Sequence, residues 1–175
     1  MAKVPYRLAV LNALSSQLEM VNGPDHLGQP FNLAGQVFRG RTEFGEETQL
    51  PALSVLESPS PDIGRFAGSG EAFADKWTLL VQGWAKDDKD NPSDPAYYLA
   101  AAVLERLGLI IAIKSGNSGR PVDPQAHMLG GLITDAEIGA YVVRPVDKQA
   151  SSRAYFYLPI RLGLARDVAE PYLSA

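Results

Sequence analysis

Near the start of the chain the apolar positions Val4, Leu8, Leu11, Leu14, Leu18 and Val21 recur at steps of four, three, three, four and three. That spacing lays them along one side of a helix and predicts an amphipathic helix over 4–21. Asn22-Gly23-Pro24 is expected to end it, because Gly23 can take a left-handed cap and Pro24 cannot continue the hydrogen-bond ladder. Residues 24–34 then read as a loop. Val37-Phe38-Arg39-Gly40-Arg41 and Leu50 to Glu57 read as short extended segments, and the polar turn from Glu43 to Thr48 between them predicts an antiparallel pair. Lys76 to Lys86 alternates Trp77, Leu79, Val81 and Gly83 with Thr78, Leu80, Gln82 and Trp84, the pattern of a central strand. Asp94 is the expected N-cap of a second helix with Pro95 at its first position. Its rows Tyr97, Ala101, Leu104, Gly108 and Ala100, Val103, Leu107 are both expected to be buried. The apolar run Leu109 to Ile113 fits helix or strand equally. Leu132 to Val143 and Ala154 to Arg166 read as two more strands, with Pro159 placing the last at an edge or marking a bulge.

The order is helix, two or three antiparallel strands, helix, two strands. It predicts the α+β class, with one domain over 1–175 and two principal helices on one face of a mainly antiparallel sheet. Stretches rich in Gly, Pro and Ser near 58–70 and 114–128 are expected as long loops.

Composition narrows the function more than the fold. The 175 residues carry 16 Lys+Arg against 20 Asp+Glu, a formal charge of −4, which argues against nucleic-acid binding as the main activity. The chain has no cysteine, so disulfides, thiolate catalysis and thiolate metal sites are excluded together. No run approaches the roughly 18–20 apolar residues of a membrane span, and no signal-peptide pattern opens the chain, so a cytosolic site of synthesis and use is expected.

Candidate chemistry is sparse. Asp87, Asp88, Asp90 and Asp94 cluster before the second helix and could hold a hard cation, but the calcium-loop pattern is not met, and acids at a helix N-terminus are favoured by its dipole without any metal. Ser115 to Arg120 lacks the spacing of a phosphate-binding loop and reads as a turn. His26 and His127 are not tied to any nucleophile and are expected at the surface; neither a Gly-x-Ser-x-Gly elbow, zinc spacing nor a dinucleotide fingerprint occurs. No catalytic residue, metal or cofactor is therefore expected. Arg39 and Arg41 flank Gly40, and strand alternation would place both on one face, followed by Glu43, Glu46 and Glu47. Two readings stay open for them: bidentate pairs with carboxylates of a neighbouring chain, or internal ion pairs at a solvated strand end. Tyr97 and Tyr98 are either interface anchors or, as the ordinary outcome, one packed in the core and the other partly exposed.

Taken together, Val37-Phe38-Arg39-Gly40-Arg41, Leu50-Pro51-Ala52-Leu53-Ser54-Val55, the strand from Trp77 to Trp84 and the Asp94-Pro95-Ala96 start of an Ala-rich helix resemble the tail terminator, or tail completion, proteins of long-tailed bacteriophages. The resemblance covers most of the chain, and the two long loops depart from the smaller members. It implies a structural virion protein at the head-proximal end of the tail, assembled in the host cytoplasm. Such proteins form a homo-oligomeric ring, usually of six subunits, on the tail tube protein. The ring ends tube polymerisation and offers a surface to the head–tail connector or neck protein, while DNA passes through the lumen without specific binding. Six copies at −4 each would total −24. In that setting Arg39, Arg41, Glu43, Glu46 and Glu47, with Ile63 and Phe66 as anchors of the 58–70 loop, are the expected interface residues. A small metal-dependent enzyme and a monomeric adaptor domain are the alternative readings.

Overall fold

The alternating segments become the longest strands because each can bury one row of side chains and expose the other. The computed structural model describes residues 3–45, 47–58, 73–114, 119–144, 153–166 and 171–173. In chain order the elements are β1 (Val4–Pro5), α1 (Tyr6–Glu19), β2 (Asn22–Pro24), β3 (Pro30–Asn32), β4 (Val37–Arg39), β5 (Ala52–Glu57), β6 (Phe73–Trp84), α2 (Asp94–Ile111), β7 (Asp135–Ile138), β8 (Val142–Arg144), β9 (Tyr155–Arg166) and β10 (Tyr172–Leu173). The main sheet has the order β4-β5-β6-β9-β7, with β8 also paired to β9. This is the expected α+β class in a single compact domain.

β6 and β9 pair antiparallel along their whole length, from Phe73 opposite Arg166 to Trp84 opposite Tyr155. Trp77, Leu79 and Val81 therefore share a face with Leu162, Ile160 and Leu158, and all six are buried. Against that face lie Val10, Leu14 and Leu18 of α1 and Leu99, Val103, Leu107 and Ile110 of α2, so helices and sheet close one core. Leu53, Gly83 and Phe156 sit at its centre. An added Cβ on Gly83 would lie 2.7 Å from Leu53 Cδ2 and overlap the Phe156 ring, so the absent side chain is what lets that ring seat.

Several local expectations are corrected. β4 and β5 are parallel, Val37 opposite Leu53 and Arg39 opposite Val55, so the connection between them is a crossover and not a hairpin turn. The region expected as a loop after α1 is a short hairpin, with Asn22 opposite Asn32 and Pro24 opposite Pro30. Its turn is held by Asp25 Oδ1, which accepts from Leu27 N and Gln29 N at 2.8 Å each. Gly23 thus belongs to a strand, while α1 ends at Glu19 with Met20 as its C-cap. At the start of α2, Asp94 is the first helical residue and Ser93 the cap. The helix runs through Gly108 to Ile111, settling most of the ambiguous apolar run, and Ile113 forms an isolated bridge with Pro121. The second excursion is anchored in its described part: Asp123 Oδ1 accepts from Gln125 N and Ala126 N, and Arg106 lies 3.7 Å from Asp123.

Helix phase differs too. Val10 is buried where Leu8 was expected, with Leu8 41% exposed, and the Tyr97 row of α2 turns sideways, with Tyr97 50% exposed. The segment 132–143 is preceded by a left-handed turn at Met128, Leu129, Gly130 and Gly131, all at positive φ, and is split into β7 and β8. The split accommodates Pro159. Its carbonyl accepts from Gly139 N at 2.9 Å, so this residue's polar edge, including the missing N–H, faces the gap between β7 and β8. β9 is therefore an inner strand despite its proline.

Candidate functional site

The two arginines part company at Gly40. Its φ of +69° reverses the chain after β4, so alternation does not carry through to Arg41, and the expected shared face is not formed. Arg39 points toward α1 and bonds Asn12 Oδ1. Arg41 folds over the other face, its guanidinium 4.8 Å from the Phe38 ring centroid and 4.6 Å from that of Phe44. It donates to the Glu43 carbonyl at 3.0 Å and to Thr48 Oγ1 at 3.2 Å, with Glu47 Oε1 at 3.6 Å. Phe44 in turn packs on Trp84 at 4.3 Å. The structure thus brings Arg41, Glu43 and Glu47 together within one chain, where they fasten the crossover to the sheet. The exposed ion pair contributes about 0–1 kcal/mol, and the stacking adds to it. Arg39 has no carboxylate partner among the described residues. Glu46, Ile63 and Phe66 lie outside the described residues.

Beyond the crossover no described helix covers this second sheet face. Leu80 and Tyr157 lie along it half-buried and Pro159 is exposed. At one end Lys76 bonds Asp135 and, at 2.9 Å, Glu137 Oε1, which shares its carboxylate with Arg161 at 3.1 Å. The hydrogen bond from Lys76 is the main reason both carboxyls titrate below their usual range, and the bond to Asp135 is the main reason the Lys76 ammonium titrates above its own. For the lowered carboxyls, the linked stability is present above the unfolded carboxylate range and lost as pH falls through the folded values; for the raised lysine, it is present below the ordinary lysine range and lost as pH rises through its folded value. Lys76→Met should therefore move both carboxyl titrations upward, toward ordinary values. Side-chain carboxyl NMR titration checks this, and unmoved midpoints would refute the network.

A cleft of about 410 Å³ opens between the β2–β3 turn and the β6–α2 connection, lined by His26, Phe31, Pro51, Asp88, Lys89 and Leu99 among others. His26 Nε2 lies 3.1 Å from Asp88 Oδ2, tying its two walls across 62 positions of sequence. Asp88 Oδ1 accepts from Asn91 N at 2.7 Å and Asp90 N at 2.9 Å, and these backbone donors hold the Asp88 carboxyl below its usual range. Asp87 Oδ1 accepts from Ala154 N at 2.7 Å and joins the loop to β9. Among the described residues no three His, Cys, Asp or Glu side chains come together as a metal site. Both histidines are half-buried rather than on the surface, each with a buried Nδ1. Sequence reasoning missed the His26–Asp88 contact. The available signal was Asp25 to Gly28 between two prolines, a turn that carries His26 inward.

Tyr97 and Tyr98 are both about half exposed. Tyr97 meets Tyr141 edge to face at 6.3 Å, beside the β7–β8 gap. Compared with known proteins, the chain matches no family model, and no curated protein matches it in sequence.

Proposed function

We propose that this chain is a structural subunit of the tail-terminator kind: a homo-oligomeric ring, of six copies, that caps a phage tail tube, ends its polymerisation and offers the surface for head attachment. The observation that carries this reading is the one-sided architecture. Both helices lie on the same face of the main sheet, so the other face and the flanks at β4 and at β7–β8 offer surface to neighbours. The sequence resemblance described above supplies the assembly. Its implied partners are the tail tube protein and a head–tail connector, its place is the virion, and the acidic charge suits DNA passage without adhesion.

Sedimentation velocity on the purified 18.9 kDa chain, alone and with tail tubes, tests the proposal. The expected result is a closed oligomer of one defined size, or rings at one end of the tubes by electron microscopy. A chain that stays monomeric at high concentration and leaves the tubes unbound refutes it. The His26–Asp88 cleft favours a second reading, a monomeric adaptor domain that takes a peptide side chain between its walls. That reading predicts a monomer whose His26 resonances shift with peptide.

A further inference from the structure

Two apolar rows whose spacing calls for burial remain partly exposed, and they lie on opposite flanks of the molecule. On α2, Tyr97, Ala101, Leu104, Gly108 and Ile111 follow steps of four, three, four and three, the interval that keeps one side of a helix toward a partner helix. Tyr97, Ala101 and Ile111 are exposed, and Leu104 is half-buried. The Tyr97–Tyr141 contact places this row at the β7–β8 flank. On α1, Leu8 is exposed and Leu11 half-buried, and the neighbouring Asn12 bonds Arg39, which places that row at the β4 flank.

Charge matches between the flanks. Arg39 has no carboxylate partner among the described residues, and Glu105, one turn beyond Ala101, is exposed with no basic partner among them. Burying two facing apolar rows and pairing two unspent charges is how a helix–helix interface is made between copies. Because the flanks differ and lie on opposite sides, the contact is head-to-tail, the kind that closes into a ring when the rotation allows.

We propose that the α2 row of one copy docks on the Leu8–Leu11 row of a second copy, with Arg39 of one pairing with Glu105 of the other. This rests on the ring reading and specifies its contact. The absence of native cysteine makes the test clean. Arg39→Cys and Glu105→Cys are made singly and together, circular dichroism confirms folding, and each is treated with a short bismaleimide. Mixing the two single variants should give linked pairs, either one alone should give none, and the double variant should give linked species of three and more. Arg39→Glu should weaken oligomerisation about tenfold, and adding Glu105→Arg should restore it. Oligomers that form without the mixed crosslink and ignore Arg39→Glu overturn this contact and leave the ring intact. A wild-type chain that never associates, alone or on tubes, overturns both.

Discussion

Phe156→Ala is expected to lower the stability of the folded chain by about 3–5 kcal/mol, among the largest effects of any single truncation in this core. Phe156 is fully buried and opposite Gly83, and among the described residues it is the largest of the fully buried side chains. The cost has two parts, the lost transfer energy of the ring and the cavity it leaves, and neighbours fixed in a six-stranded sheet cannot collapse to fill that cavity. Chemical denaturation of the variant reads the loss directly. A change below about 1 kcal/mol would mean that Phe156 is not packed at the centre of the core as described.

The second large effect comes from the same spot with the opposite sign of volume. Gly83→Ala should destabilise by about 1–3 kcal/mol, because the new methyl lies 2.7 Å from Leu53 Cδ2 and in collision with the Phe156 ring, and both side chains are fully buried in a packed core with little room to shift. The two sites share one volume, so their effects are not additive. Gly83→Ala combined with Phe156→Leu should cost less than the sum of the separate changes, since the shorter side chain vacates the space the methyl needs. Additive costs in a double-mutant cycle would show that Gly83 is not reserved for the ring.

How legible this fold is in its sequence depends on how local the deciding interaction is. The β6 and β9 alternations are plain because period-2 burial is written within each strand, and α1 and α2 are plain because their apolar rows repeat over several turns. The parallel pairing of β4 and β5 is not, because it is decided by where Phe44 lands on Trp84, forty positions away in sequence and 4.3 Å away in space. The β2–β3 hairpin was concealed by its composition: two prolines and two asparagines in six strand residues give no alternating signal. Helix phase at Leu8 and Tyr97 departs from the spacing for a different reason. Both rows have the spacing of buried positions, and the chain alone does not bury them fully. At the arginines, one glycine at positive φ undid an inference that was sound for an uninterrupted strand. The His26–Asp88 tie belongs wholly to tertiary structure and had no local trace beyond the turn that carries it.

Splitting the outer strand beside β9 has a consequence for how this flank meets other molecules. A continuous edge invites any extended peptide to zip onto it through backbone hydrogen bonds, whatever its side chains. Here an incoming strand finds four residues at β7, then the Gly139 break beside Pro159, then three residues at β8. Neither piece offers enough rungs for sequence-blind pairing to compete with solvent. Any contact on this side is left to side chains, so it is selective by default, and the edge is guarded against templated aggregation by one proline and the gap beside it.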